Sequence, residues 1–253
     1  MLKYGSEGAK QFYEMYILNP AHAKAHREGD IHIHDLDFLT LTTTCCQIDI
    51  DKLFTGGFCT GHGFLREPND IQSYAALACI AIQANQNDQH GGQSIPNFDY
   101  GLAKGVAKTY KRLYRRNLVK AYELLTDQEE IAARMQEIFS QLEEQGLVPV
   151  LANDNGYQAA EAELLEPVAG QDVARKAQRK ALDYAASETN RSTFQAMEAL
   201  VHNLNTMHSR AGAQVPFSSL NYGTDTSPEG RMVIRNILLA TEAGLGNGET
   251  AIF

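Results

Sequence analysis

The sequence lacks the features that define several classes of protein. No apolar run approaches the roughly 20 residues that a membrane-spanning helix needs, and the N-terminus has no apolar core of a secretory signal. Lys and Arg number 22 against 31 Asp and Glu, and this acidic excess argues against a nucleic-acid-binding surface. We therefore predict a cytoplasmic protein with no membrane span and no nucleic-acid partner.

Cysteine is scarce, and its spacing fits neither of the common cysteine frameworks. Cys45, Cys46, Cys59 and Cys79 match neither a zinc site nor a disulfide ladder, so no metal site is predicted. Without a secretion signal a reducing compartment is favoured, and all four are predicted to be free thiols. Such a thiol is either a small buried hydrophobic group or a redox group.

The chain does contain enough apolar sequence for a sizeable core. Its 253 residues are 43% hydrophobic, which suits one large domain or part of a larger one. Strand-like segments alternate with helical ones, and that order favours an α/β fold. The predicted strands cover residues 39–50, 214–223 and 250–253, and the predicted helices cover residues 8–26, a segment starting at 71, 102–145, 171–209 and 228–244.

Breaks in the pattern are predicted between these elements. Residues 90–101 break the helical pattern with a glycine pair and a proline, residues 90–96 within them read as a tight turn, and residues 146–170 read as irregular. Asn69 and Asp70 can cap a helix whose buried stripe is Ile71, Ala75, Ala78 and Ile82, with Cys79 beside it in the core. Gly212 suits a helix C-terminus. A strand still open at Phe253 would leave an unpaired edge, so we expect the sequence to continue further.

The two adjacent cysteines are predicted to face apart. In a regular strand Cys45 lies on the same side as Leu41 and Thr43, whereas Cys46 lies on the other side with Ile48. The thiols should therefore not share an environment. A disulfide between neighbouring residues would be strained, so a redox role needs a distant partner thiol.

The segment GDIHIHDLDF places His32 and His34 two residues apart on one face, with Asp35 and Asp37 following. Such a pair can form a polar pocket for a small acid, contribute to a metal site, or bond to carboxylates that hold a turn. The structural role is the default, because a metal site needs three or four converging ligands.

Two further segments have an ordinary structural explanation beside a functional one. The glycine-rich GGFCTGHG lacks the lysine and hydroxyl of a phosphate-binding loop and reads as a flexible turn. A basic cluster at helical spacing can bind nucleotide phosphates, although a solvated helix face is the default. Its members are Lys104, Lys108, Lys111, Arg112, Arg115 and Arg116.

Five segments, taken in order, resemble the anaerobic (class III, glycyl-radical) ribonucleoside-triphosphate reductase family across nearly the whole chain. They are GDIHIHDLDF, TCCQIDIDKLFTGGF, QNDQHGGQSIPNFD, NTMHSRAGAQVPFSSLNYGTD and GLGNGETAIF. The resemblance implies a helix-rich, partial ten-stranded β/α barrel of the glycyl-radical enzyme type, with residues 1–253 as the N-terminal portion of a truncated catalytic domain.

The resemblance also implies a chemistry. Ribonucleoside triphosphates would be reduced to deoxyribonucleoside triphosphates for DNA synthesis. A glycyl radical, installed by an S-adenosylmethionine iron–sulfur activase, would generate a cysteine thiyl radical that takes hydrogen from the ribose 3′ carbon. After the 2′ hydroxyl leaves as water, a second cysteine would deliver hydrogen from the opposite face. Formate or a thioredoxin-like dithiol protein would supply the electrons.

Residue by residue, the family's reductive cysteine corresponds to Cys45, which precedes Phe58 by 13 residues. His32 and His34 would line the substrate or formate pocket. Helices within residues 70–116 would build a homodimer interface at which dNTP or ATP effectors act allosterically. Lys104, Lys108 and Lys111 are the candidate effector contacts.

The thiyl cysteine, the glycyl-radical loop, the four-cysteine structural zinc site and the ATP cone of the family have no counterpart in this sequence. We therefore expect the chain to be inactive alone. One alternative is a nucleotide-binding dimerisation module without catalysis. Another is a pyruvate formate-lyase-like enzyme, whose adjacent cysteines the pair Cys45-Cys46 imitates, although TCCQIDIDKLF favours the reductase.

Overall fold

The computed structural model describes residues 2–40, 42–126, 131–152, 156–209 and 215–251. Its elements run in the order α1 (Leu2–Phe12), a π-helical turn (Tyr13–Ile17), α2 (Pro20–Glu28), a 3-10 turn (Leu36–Phe38), β1 (Thr44–Gln47), α3 (Ile50–Phe54), β2 (Phe58–Cys59), β3 (Phe64–Leu65), α4 (Ile71–Asp88), β4 (His90–Ile95), α5 (Phe98–Thr126), α6 (Ile131–Glu144), α7 (Tyr157–Ala169), α8 (Gln171–Thr206), β5 (Ser218–Leu220) and α9 (Pro228–Ala243). Within the described residues no helix is both long and apolar enough to cross a membrane.

A small parallel sheet carries the site. Its strands lie in the order β1-β4-β5 with β4 at the centre, while β2 and β3 form a separate antiparallel hairpin. The helix-rich α/β class is therefore confirmed, and the described residues form no closed barrel. The prediction of a tight turn at residues 90–96 is wrong over His90–Ile95, because neighbouring strands on both sides stabilise that segment as the central strand.

Local capping explains where several helices begin. Asp70 accepts a hydrogen bond from the Ser73 backbone N–H, and the Ser73 hydroxyl accepts one from the Asp70 backbone N–H, which completes a capping box at the start of α4. Ser227 caps α9 with a single bond, its hydroxyl accepting the Gly230 N–H, and a proline stands in the first turn. The helix predicted over residues 8–26 is interrupted, because Pro20 starts a new helix.

Two contiguous clusters of buried apolar side chains form the core. The first joins the sheet to α4, α5, α8 and α9, and the second is a bundle of α5 to α8. The predicted stripe of α4 is buried, and Cys79 is only 4% exposed, so both predictions are confirmed. On α8, Met197, Leu200, Val201 and Leu204 are buried, whereas Tyr184 is exposed.

Other boundaries differ from the predicted ones. Residues 146–170 are not all irregular, because α7 buries Tyr157 and Leu165 in the bundle. The strand predicted over residues 39–50 is confined to Thr44–Gln47. At the other end, residues 250 and 251 are not in a strand. The predictions for Leu41, Gly212 and residues 252–253 lie outside the described residues.

Candidate functional site

An open groove of about 560 Å³ lies along the parallel sheet and contains the cysteine pair. Its volume is within the roughly 300–1,000 Å³ that is usual for ligand pockets. All three strands contribute to it. The lining residues are Cys45, Cys46 and Gln47 from β1, Gly92, Gln93 and Ser94 from β4, and Phe217, Ser218 and Ser219 at β5.

A bulge between β1 and β4 determines how the thiols are presented. Thr44 pairs with His90, but Cys46 pairs with Gln93, so two residues of β4 stand opposite the single residue Cys45. Cys45 has a left-handed backbone, with φ of 48°. The prediction that the two thiols occupy separate environments is therefore wrong, because strict alternation holds only in a regular strand and both cysteines line the groove.

Amide side chains from α4 and β4 form a chain of hydrogen bonds that ends at Cys46 in the groove. Asn85 Nδ2 donates to Cys46 Sγ at 3.0 Å and to Gln93 Oε1 at 2.7 Å. Gln93 Nε2 in turn donates to Gln86 Oε1 at 2.9 Å and to the Ile82 carbonyl at 3.0 Å. Because every donor has a defined acceptor, the orientation of each amide is fixed, and the Cys46 sulfur accepts the last hydrogen bond of the chain.

One wall of the groove offers a polar atom for a ligand. Ser218 Oγ is buried and has no hydrogen-bond partner among the residues that the structure describes. A buried hydroxyl without a partner is unfavourable by about 1–3 kcal/mol. Rotation of the Ser218 side chain toward the groove would let a ligand hydroxyl or amide supply the missing bond.

The four cysteines differ in accessibility, and all are free thiols, as predicted. Cys45 and Cys59 are exposed, whereas Cys46 is partly buried. Burial raises the pKa of the Cys79 thiol to about 12. Cys79 is therefore a core residue without nucleophilic character at neutral pH.

The predicted histidine pair lies outside the groove but close to its strands. Both side chains are exposed, and the rings of His32 and His34 lie 5.7 Å apart. Asp35 lies between two imidazoles, with Oδ2 3.3 Å from His34 Nε2 and Oδ1 3.7 Å from His90 Nε2. His90 is the first residue of β4 and stacks on Phe38. The segment therefore reaches the sheet through Asp35.

In the part of the chain that the structure describes, no group of three or more His, Cys, Asp or Glu side chains is arranged to hold a metal ion. His90 was not singled out from the sequence. Its role in linking the histidine segment to β4 becomes visible only when residues 35 and 90 meet in space.

The basic cluster does not form one site, because its members pair with acidic residues at several places, with Arg112 at Asp70, Arg115 at Glu143 and Arg116 at Glu188. Lys104 and Lys108 line a cavity of about 280 Å³, where they pair with Asp51 and Glu67, respectively, the second pair at 2.6 Å. The Lys108 ammonium also lies 5.3 Å from the centroid of the Tyr74 ring. By contrast, Lys111 pairs with Glu143 of α6 at 2.6 Å and does not line this cavity.

The chain is similar to known proteins over its whole length. A protein-family model described as anaerobic ribonucleoside-triphosphate reductase matches residues 1–253. Relatives with that same name come from Salmonella typhimurium and Escherichia coli, each 26% identical over 97% of this chain and 27% of the relative. One from phage T4 is 26% identical over 91% of this chain and 29% of the relative. The chain thus spans little more than a quarter of these curated relatives.

Proposed function

The chain belongs to the anaerobic ribonucleoside-triphosphate reductase family, and from this premise we propose that it forms the reductive side of a nucleotide-reducing active site. The enzyme that contains it converts ribonucleoside triphosphates to deoxyribonucleoside triphosphates for DNA synthesis. The observation that supports this most directly is the groove, which is lined both by the exposed Cys45 thiol on β1 and by Ser218 on β5.

Cys45 is the proposed hydrogen donor to the ribose. Its S–H hydrogen goes to C2′ after the 2′ hydroxyl has left as water, so the thiol must face the sugar from within the groove. Ser218, which also lines the groove, supplies a hydroxyl at which a ribose hydroxyl can be oriented. A glycyl radical, installed by a radical S-adenosylmethionine iron–sulfur enzyme, would supply the unpaired electron, and formate or a thioredoxin-like dithiol would supply the reducing electrons.

The surrounding assembly is proposed to be a cytoplasmic homodimer in which the sheet extends into a ten-stranded barrel. Parallel sheets are normally covered on both faces, whereas here the groove runs open along β1, β4 and β5. Both β1 and β5 are edge strands of the described sheet, and each has one side at which a further strand can pair.

The test of the central proposal is Cys45→Ser in the full-length reductase that carries this sequence. We expect deoxynucleotide formation to be lost while the glycyl-radical signal in electron paramagnetic resonance remains. Cys59→Ser is the matched control, because Cys59 is also exposed but lies on the β2–β3 hairpin outside the groove. Normal turnover of the Cys45→Ser enzyme would refute the assignment.

His32 and His34 are proposed to line the substrate or formate pocket. The support is that the Asp35 carboxylate joins this segment to His90 at the start of β4. Alanine at both positions should raise the KM for formate or nucleotide in the full-length enzyme. If both KM values and kcat stay as in the wild type, the histidines only hold the turn.

Lys104 and Lys108 are proposed to bind the phosphates of an effector nucleotide in their cavity. The double change to Gln should abolish the response of substrate choice to dNTP or ATP effectors. Among the three predicted lysines, Lys111 also lies on α5 but pairs with Glu143 of α6 outside the cavity, so Lys111→Gln, which removes one positive charge from the same helix, serves as the control. An unaltered effector response in the double variant, or equal loss in the control, would contradict this site.

A further inference from the structure

The two residues of β4 opposite Cys45 are both glycines, and at each of them a side chain would collide with a neighbouring residue. Gly91 has φ of 97°, in the region that side-chain-bearing L residues rarely adopt. A Cβ atom at Gly91 would lie 3.0 Å from Cys45 Sγ and 3.1 Å from Cys45 N, closer than the ordinary 3.4–4 Å contact. The Cys45 sulfur thus occupies the space that a side chain at position 91 would need.

Gly92 shapes the neighbouring part of the same groove. A Cβ atom there would lie 3.1 Å from Phe217 Cδ1, so the absence of a side chain lets the Phe217 ring pack against β4. Phe217 and Gly92 both line the groove that contains the thiol. The two glycines therefore determine the positions of a sulfur and of an aromatic ring in one groove.

Strain at Cys45 shows that its position is imposed by the surroundings. A left-handed backbone at a residue other than glycine is unfavourable by about 1–2 kcal/mol, and it persists where neighbouring structure over-determines it. Cys45 and Asp35 are the non-glycine residues at positive φ within the described part of the chain. Bulges commonly re-aim a side chain next to an active site.

We propose that Gly91 is a positioning residue for the Cys45 thiol. Because Gly91 has no side chain, the Cys45 sulfur can occupy its observed position in the groove. This inference rests on the proposed role of Cys45 as the hydrogen donor. Gly91 does not touch the substrate and acts only through the direction in which the Cys45 side chain points. Any side chain at position 91 displaces the sulfur from its place facing the bound sugar.

The test is Gly91→Ala in the full-length reductase, with two readouts. The first is the alkylation rate of Cys45 by iodoacetamide, measured by peptide mass spectrometry relative to Cys59 in the same molecule. The second is kcat and KM for the ribonucleotide. Gly146→Ala is the matched control, because Gly146 also has a positive φ, of 74°, but a Cβ there meets nothing within 4 Å.

The expected result is a change of at least about threefold in the Cys45-to-Cys59 alkylation ratio, and a fall in kcat of roughly 10- to 100-fold, as small displacements of reacting groups produce. KM should change far less than kcat. The control should keep the wild-type ratio and turnover. A wild-type alkylation ratio in Gly91→Ala overturns the proposal, whatever happens to turnover.

Failure of this proposal can be told apart from failure of the proposed function. If the ratio changes but turnover does not, Gly91 positions the thiol and Cys45 is not the hydrogen donor. If Gly91→Ala does not fold, circular dichroism and thermal melting test whether the double variant Cys45→Ala/Gly91→Ala folds. Recovery of folding when the sulfur is removed supports the proposal, and equal loss in both variants overturns it.

Discussion

Asp99 Oδ2 accepts the backbone N–H of Gly223 at 2.8 Å, across 124 residues of sequence. The same oxygen accepts the N–H groups of Thr224 and Asp225, each at 3.0 Å. One carboxylate in the first turn of α5 thus fixes the loop that joins β5 to α9. Since β5 supplies one wall of the groove, Asp99 stabilises that wall from the far end of the strand.

Asp99→Asn should lower the free energy of unfolding by at least about 2 kcal/mol, because hydrogen bonds to a charged group contribute about 1.5–3 kcal/mol each. Urea denaturation monitored by circular dichroism measures the loss. Asp183→Asn is the control, since Asp183 is exposed on α8. Equal midpoints for the two variants would contradict the role of Asp99.

The difference in stability between the wild type and Asp99→Asn should depend on pH. Burial alone would raise the pKa of Asp99, but the backbone donors, led by Asp225 and Gly223, outweigh it and bring the pKa below its usual value. A lowered folded-state pKa gives stability that is present above the usual carboxyl pKa and lost at lower pH. The advantage of the wild type over Asp99→Asn should therefore shrink below about pH 4.

Glu161 should produce the opposite pH dependence. It is fully buried, and burial raises its pKa although Tyr114, Gln178 and Tyr157 donate hydrogen bonds to it. A raised folded-state pKa gives stability that is present at low pH and lost as pH rises above the usual glutamate value of about 4.3.

Glu161→Gln should remove that dependence, because the amide does not ionise and the Tyr157 hydroxyl can turn to accept from it. As pH rises above the usual glutamate value of about 4.3, the melting temperature should fall more in the wild type than in the variant. Exposed Glu163→Gln serves as the control and should follow the wild type. Parallel curves for wild type and Glu161→Gln would count against a raised pKa.

Two glycine-to-alanine changes in helices should have opposite signs. In α5, a Cβ atom at Gly105 would lie 2.9 Å from Tyr74 Cδ2, so Gly105→Ala overpacks the α4–α5 contact and should destabilise by about 1–3 kcal/mol. In α1, a Cβ at Gly8 meets nothing within 4 Å, so Gly8→Ala should stabilise by about 0.5–1 kcal/mol. Chemical denaturation curves measure the change in unfolding free energy for each variant. Stabilisation by both changes would show that α4 and α5 lie further apart than the structure places them.

The thiols should separate into reactive and protected groups in the native protein. Cys59 and Cys45 are exposed and should be alkylated readily, whereas Cys79 is buried with a pKa raised to about 12 and should react only after unfolding. Mass spectrometry of the alkylated peptides with and without denaturant makes the comparison. Native-state labelling of Cys79 at the rate of Cys59 would mean that α4 does not pack as described.

Elements with local signals were predictable from the sequence. The start of α4 followed from Asp70 and its buried face from the spacing that begins at Ile71, because capping and helical periodicity depend on neighbours within a few residues. By contrast β4 was missed, since Gly91 and Gly92 weaken strand propensity and pairing with distant strands overrides it. The helix α7 was missed because it starts after Gly156 and contains Pro167.

The candidate site was predictable only in part. Cys45 could be selected from its distance to Phe58, but its direction could not, because parity assumes a ladder without a bulge. No local motif marks Ser218 as a groove residue. The division of Lys111 from Lys108 depends on where α6 docks, which helical spacing on α5 does not contain.

The order of strands in the sheet has a consequence for how the protein assembles. Contacts between β1 and β4 close short spans, such as the pairing of Thr44 with His90, which lie 46 residues apart in the sequence (90 − 44). Contacts that bring in β5 close much longer ones, such as the 131 residues between Gln86 and Phe217. The longer closure is less favourable by about 1 kcal/mol in chain entropy, and pairings at long sequence separation form slowly. We therefore expect β1, α4 and β4 to form an early folding nucleus, and the β5 wall of the groove to be the last part to acquire native order.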